Sequence, residues 1–138
     1  MEYQIKDDLQ PKEYNELRNS VGWDSKDENI IIEALRNSVI IKKIIVDNKA
    51  VGMARVIGDG LYYLIVDVVV SREYQGKGIG KILIEEIVKE VYNKTKEGQK
   101  ASINLVSMQG KEEFYEKCGF RKIPFDFTGY GMIRRIKK

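Results

Sequence analysis

The sequence predicts a mixed α/β (α+β) domain built on one mostly antiparallel sheet of about six or seven strands, flanked by helices. Three observations lead there. Three β-branched runs follow one another between residues 39 and 70, with turn residues between them. At residue 79 the apolar period changes from two to about 3.6, and after Gly98 it changes back. No linker, repeat or low-complexity tract interrupts the 138 residues, which include only 2 Pro and 12 Gly. A single domain over residues 1–138 is therefore expected.

Residues 3–6 read as a short opening strand. Pro11 stands where a first helical turn tolerates it, and Tyr14, Leu17, Arg18 and Val21 follow at helical spacing. Asp24 or Ser25 is expected to cap a second helix carrying Ile30, Ile31, Ala34 and Leu35 on one side. The three strands that follow are Val39–Val46, Val51–Ile57 and Leu61–Val70. Asp47-Asn48 and Gly58-Asp59-Gly60 supply the turn chemistry of an antiparallel meander. Residues 79–92 form an amphipathic helix with Ile79, Ile82, Leu83, Ile87 and Val91 on its apolar face. Ala101–Ser107 is a further strand. Gly110–Lys117 is a short helix that stops at Gly119, a left-handed position. Phe120–Ile123 and Tyr130–Ile136 read as closing strands, giving the order β-α-α-β-β-β-α-β-α-β-β.

Composition removes several function classes. The longest apolar run, Leu61 to Val66, is six residues, against about 20 for a membrane span. The N-terminus lacks the apolar stretch of a secretory signal, so a soluble, cytoplasmic protein is expected, with no membrane partner. Histidine is absent, which rules out Ser-His-Asp and Cys-His catalysis. Cys118 is the single cysteine, so no C-x-x-C metal pair exists, and its expected role is that of a small apolar residue; no metal is expected. The net charge of +3 is too small to argue for nucleic acid. Its distribution is uneven: residues 1–70 hold 9 Lys/Arg and 12 Asp/Glu, whereas residues 71–138 hold 15 and 9. A basic second half suits a phosphorylated ligand and an acidic first half a cationic one, although solvated faces would look the same.

The segment V-D-V-V-V-S-R-E-Y-Q-G-K-G-I-G-K, residues 66–81, is the most informative. A hydrophobic strand enters a loop with Gly76, Gly78 and Gly80, and an amphipathic helix leaves it. Glycines let a backbone approach a ligand closely, and a helix N-terminus offers unpaired N–H groups, so the arrangement suits a pyrophosphate. Lys77 and Lys81 add positive charge. The spacing fails the Walker A pattern, and position 81 is lysine where a dinucleotide fingerprint needs glycine.

Gln75-Gly76-Lys77-Gly78-Ile79-Gly80 resembles the Q/R-x-x-G-x-G/A motif of the GNAT superfamily of acyl-CoA-dependent N-acetyltransferases, with Val68-Val69-Val70 at the usual distance before it. Downstream, Phe114-Tyr115-Glu116-Lys117-Cys118-Gly119-Phe120 is similar to the family's second signature, a Y-E-K-x-G-F helix end. The resemblance implies a GNAT-like fold and acetyl-CoA as co-substrate. It implies that Gln75, Gly76, Lys77, Gly78, Ile79, Gly80 and Lys81 hold the pyrophosphate, Ile79 through its backbone. Val68, Val69 and Val70 would offer backbone groups to the pantetheine arm and acetyl carbonyl. Tyr115 falls at the position of the acid that protonates the departing thiolate. Two departures from the pattern exist. Met108, beside Gln109, stands where many relatives have asparagine, and Tyr62-Tyr63-Leu64 lacks the glutamate base found in some of them.

Asp67 lies inside L-I-V-D-V-V-V, where an unpaired carboxylate is costly. It is either the base or amine-orienting group, or a structural group satisfied by an ion pair or by a hydrogen bond to a neighbouring strand. The acceptor pocket is expected between the first two helices and the strands before the loop, with Trp23, Arg55 and Tyr63 as substrate-binding candidates beside Tyr62; Trp23 equally fits a packing role. The acidic first half favours a small cationic primary amine. The alternatives are a protein or aminoacyl-tRNA amine, or a non-catalytic CoA-binding regulatory module. A homodimer is compatible with the family.

Overall fold

A computed structural model describes all 138 residues, as two compact units, Met1–Leu105 and Val106–Lys138. The first unit holds five strands in the order β1-β2-β3-β4-β5: β1 Gln4–Lys6, β2 Ile40–Val46, β3 Lys49–Gly58, β4 Tyr62–Val70 and β5 Ser102–Leu105. Neighbouring strands are antiparallel from β1 to β4, and β4 and β5 are parallel. Helices α1 Pro11–Ser20 and α2 Glu28–Arg36 precede the meander, and α3 Ile79–Lys94 connects β4 to β5. The β2–β3 hairpin turns on Asp47 and Asn48, both at positive φ, as a two-residue connection between strands of this twist requires.

Alternation along β3 sets the layers. Met53 packs with Leu9, Tyr14, Leu17, Ile31 and Val69 in the core beneath the first two helices. Its neighbour Gly52 points the other way, where an added Cβ would stand 2.9 Å from Ile79 Cγ2 and 3.3 Å from Leu83 Cδ1. Glycine therefore sets how closely α3 lies on the sheet. Ile79, Leu83, Ile84, Ile87 and Val91 form the buried stripe of α3, each fully buried aliphatic side chain contributing about 1.5–3 kcal/mol.

Two buried lysines, Lys42 and Lys43, were hidden inside the apolar run of β2. Lying side by side on a strand, they project to opposite faces. Lys42 reaches Asp7 and Glu90 of α3, both at 2.7 Å; Lys43 reaches Glu13 of α1 at 2.8 Å and Asp8 at 3.2 Å. Burial alone would pull both ammonium groups down in pKa, but hydrogen bonds and attraction from these carboxylates outweigh it and both pKa values end raised.

Two expectations need correction. Helix α2 is capped by Asp27, whose Oδ1 accepts from the backbone N–H of Asn29 and Ile30, and not by Asp24 or Ser25. Those residues are engaged in the preceding loop: the Asp24 carbonyl accepts from Arg18 Nε, and the Ser25 hydroxyl donates to Asn19 Oδ1. The second correction concerns the closing strands. Residues 120–123 and 130–136 form none, so the sheet has five strands and the order ends at the second unit's helix, α4 Glu112–Lys117. Apolar alternation makes a strand only where a ladder partner exists, and Pro124, Gly129 and Gly131 weaken this segment further. Residues 125–128 instead close a turn, with Thr128 Oγ1 2.7 Å from Phe125 N.

Gly52→Val is expected to destabilise the protein by about 1–3 kcal/mol through overpacking and to lower the thermal midpoint by several degrees. A calorimetric scan against the parent measures this. A pH series tests the lysine assignment. Lys42 and Lys43 have raised pKa values in the folded chain, so the stability they supply is complete below the ordinary value of 10.5 and is lost as pH rises through their folded values. Denaturant midpoints are expected to hold to about pH 10 and fall above it.

Candidate active site

Strand β4 outlasts its parallel partner. Its pairing with β5 runs from Tyr62↔Ser102 to Ile65↔Leu105 and stops, while β4 continues to Val70. On its other side β4 remains paired, through Met53↔Val69 and Gly52↔Val70. Residues 66–70 thus present an edge that β5 does not cover. Within that stretch, the register passes from Arg55↔Val66 to Met53↔Val69, leaving Asp67 and Val68 opposite Ala54 alone. This is a β-bulge, and Asp67 sits in it at φ 55°, a left-handed conformation that aspartate tolerates better than most residues.

The bulge aims the Asp67 carboxylate into a polar cluster beneath α1. Oδ2 accepts from the Tyr14 hydroxyl and from Arg55 Nε, both at 2.7 Å, and Oδ1 lies 3.7 Å from Arg18 Nη1. Arg55 continues to the Ser38 hydroxyl at 3.2 Å. The Arg18 guanidinium lies 5.2 Å from the Trp23 ring centre and 5.7 Å from that of Tyr14. Burial, reinforced by the hydrogen bond to Asp67, raises the Tyr14 pKa and keeps the phenol neutral. Of the two readings open for Asp67, the geometry is that of a satisfied ion pair. Arg55 and Trp23 are brought to the same cluster, through Asp67 and Arg18 respectively. Tyr63 is not: it lies buried four residues up the strand and lines an open depression with Ile57, Asp59, Tyr62, Leu64 and Asn104. Tyr14, Arg18 and Ser38 were missed as site residues. The i,i+4 spacing of Tyr14 and Arg18 placed both on the inner face of α1, and a polar tip at each was the available signal.

Past Val70 the chain makes a 3-10 turn, Arg72–Tyr74, and enters the glycine loop. The Gln75 side chain folds back to donate to the Val70 carbonyl at 2.9 Å, stiffening the exit from the strand. Gly76 and Gly78 have φ 77° and 84°, and an added Cβ at either would meet nothing within 4 Å. Their glycine identity therefore serves the backbone conformation, with open space beside it. No side chain caps α3 at Gly78, so the N–H groups of its first turn are turned outward without an intrahelical partner. Lys77 Nζ lies 5.1 Å from the Tyr74 ring centre, and Lys81 makes an exposed pair with Glu85. Arg72 Nη2 donates to the Val21 carbonyl at 3.2 Å, tying this loop to the α1–α2 connection that carries Trp23.

In the second unit, the end of α4 is a Schellman cap. Phe120 N–H bonds to the Tyr115 carbonyl and Gly119 N–H to that of Glu116, both at 3.0 Å, with Gly119 at φ 93° as expected. The motif Y-E-K-C-G-F thus has a physical basis: tyrosine, the left-handed glycine and phenylalanine are the positions such a cap couples. The Tyr115 ring packs edge-on against Phe114 and Phe120, at 5.0 and 6.1 Å between centres. Burial, with a smaller contribution from Cys118, raises its pKa. No group of three or more carboxylate or cysteine side chains is placed to hold a metal ion, and no helix is long and apolar enough to cross a membrane.

A strand whose end β5 does not cover, followed by a glycine loop and a helix with no side-chain cap, is an arrangement that suits an extended phosphorylated ligand. Residues 37–122 match the family model of the acetyltransferase (GNAT) domain. The chain is 33% identical over 122 residues to the uncharacterized N-acetyltransferase ycf52 of Pyropia yezoensis, covering 85% of this chain and 68% of that protein. It is 29% identical to the histone acetyltransferase TAP1 of Glycine max, covering 82% of this chain and 52% of that protein. Among solved structures, a protein of unknown function from meticillin-resistant Staphylococcus aureus, described as a probable acetyltransferase, superposes with a TM-score of 0.83. That match has 27% identity and covers 98% of this chain and 100% of the other. The chain belongs to the GNAT acetyltransferase family.

Asp67→Asn isolates the charge from the backbone, because asparagine also tolerates the left-handed conformation. It leaves two guanidinium groups facing a neutral amide. The expected loss of stability is large, up to about 3–5 kcal/mol as for other broken buried pairs, and thermal melting measures it. A melting temperature equal to the parent's would overturn the ion-pair assignment.

Proposed function

We propose that the protein transfers the acetyl group of acetyl-CoA to a primary amine by direct attack. The observation that carries this reading is the uncovered edge of β4, Val66–Val70, which leads directly into the glycine loop. The backbone groups of Val68, Val69 and Val70 that neither β3 nor the Gln75 side chain engages suit an extended pantetheine arm. The N–H groups of the loop and first turn of α3, with Lys77 and Lys81, suit its pyrophosphate. Acetyl-CoA supplies the thioester: the amine nitrogen bonds to the acyl carbon, the carbon–sulfur bond breaks, and CoA leaves as the thiol.

The chain's own groups have three tasks. A backbone N–H near Val69 would stabilise negative charge developing on the acyl oxygen. Tyr115 is assigned as the proton donor to the leaving sulfur, on its position in the helix-end motif. Its raised pKa suits that role by keeping the phenol protonated through neutral and mildly alkaline pH. The acceptor must also lose a proton. An amine with a lysine-like pKa near 10.4 costs about 4.6 kcal/mol to deprotonate at pH 7. With both hydrogen bonds to Oδ2 of Asp67 already made, we assign that proton to water and Asp67 to organising the arginines.

Release of free thiol from acetyl-CoA across a broad panel of primary amines tests the reaction. Turnover of at least one amine is expected. Tyr115→Phe is expected to lower kcat by about 100-fold or more while leaving the dissociation constant for CoA within a factor of two or three. Absence of CoA binding by the parent protein would overturn the assignment of the loop.

A further inference from the structure

We propose that the acceptor docks through an anionic group, so that it is a primary amine carrying a carboxylate or phosphate close to its nitrogen. This deepens the acetyl-transfer reading and rests on it for the role of the amine. The observation is the charge balance of the cluster beside the uncovered β4 edge. Arg18 and Arg55 bring two positive charges and Asp67 one negative charge, while Tyr14 and Ser38 contribute neutral hydroxyls. On the same side of the sheet Lys43 forms a separate cluster with two carboxylates, Asp8 and Glu13, which make no contact with either arginine. Asp24 meets Arg18 through its backbone carbonyl. The cluster is left one positive charge in excess.

Donors are in excess as well. Arg18 uses Nε on the Asp24 carbonyl and sets Nη1 toward Asp67; Arg55 uses Nε on Asp67 and Nη1 on Ser38. Neither Nη2 makes a hydrogen bond within the protein. No buried side-chain nitrogen or oxygen lacks a partner, so both Nη2 groups reach solvent. Two guanidinium groups that converge on one carboxylate, each with spare N–H groups, are the fork assigned to the oxyanion in this proposal. Their side chains are only 13% and 15% exposed, so salt screens them weakly.

Several carboxylates of residues 1–70 are engaged away from the cluster. Asp7, Asp8 and Glu13 are used on Lys42 and Lys43, Glu33 on Arg36, Asp27 on the α2 cap and Asp59 on its own turn. A second cation would find its one possible counter-charge already facing two arginines. The same excess disfavours an ammonium group and favours the neutral amine, which is the form that attacks.

Trp23 is the only tryptophan and lies against Arg18, so its emission reports on the fork. The test titrates the protein, without acetyl-CoA, with β-alanine, phosphoethanolamine, ethanolamine and ethylenediamine, read by Trp23 emission and by calorimetry. Saturable binding of β-alanine, phosphoethanolamine or both is expected, at least tenfold tighter than ethanolamine, with ethylenediamine weakest. The two anionic arms separate carboxylate from phosphate. Arg18→Gln is expected to abolish the preference, and Arg18→Lys, which keeps the charge, to restore part of it if Arg18→Gln does not fold. Equal binding of ethanolamine, tighter binding of ethylenediamine, or no saturable binding of either anion by the parent would overturn the proposal. Thiol release is measured separately on the same amines: anion binding without turnover of any amine would overturn acetyl transfer and leave the anion site standing.

Discussion

Much of the first unit depends on the carboxylate of Asp67. An ionised carboxylate inside a strand is among the more costly groups to bury, and here three side chains from two other elements converge on it. Tyr14 and Arg18 come from α1 and Arg55 from β3, so one charge ties helix to sheet. The convergence depends on the bulge, which turns the residue into the left-handed conformation and aims its side chain beneath α1. Packing of Met53 and Val69 against Tyr14 and Leu17 fixes the same layer by shape. Shape and charge therefore specify the same position of α1 on the sheet.

Where β4 stops being covered follows from lengths. Strand β5 contributes four residues and β4 nine, so the shorter partner leaves the end of the longer one bare. Bare backbone at a sheet edge is ordinarily a liability. Here it is followed by a 3-10 turn, a glycine loop and a helix terminus, a sequence of features suited to one extended ligand. Valine side chains suit this stretch under the proposed function, in which recognition is left to the main chain.

The meander, the long amphipathic helix and the glycine loop were legible in the sequence because each depends on local patterns: β-branched runs, a 3.6 period, glycines at fixed spacing. Gly119 was legible for the same reason. The polar cluster was legible only in part. Asp67 stood out by its cost in an apolar run, but its partners lie twelve residues away and more, and no period links Tyr14, Arg18 and Arg55. Lys42 and Lys43 were masked by the isoleucines around them; only tertiary placement reveals that each meets two carboxylates. The closing strands were overread because alternation says nothing about whether a ladder partner is available, and Asp24 was overread as a cap because the helix begins at Glu28, which puts Asp27 at the capping position.

Consecutive lysines on β2 have a practical consequence for handling the N-terminus. Each leans on one aspartate from the short stretch just after β1 and on one glutamate from a helix. Trimming the first eight residues would thus remove half the counter-ions of two buried ammonium groups at once, on both sides of the sheet. A tag joined ahead of Met1 leaves those pairs in place. What looks like a dispensable leader of eight residues is an electrostatic clasp, and its removal would be felt in α1 and α3 alike.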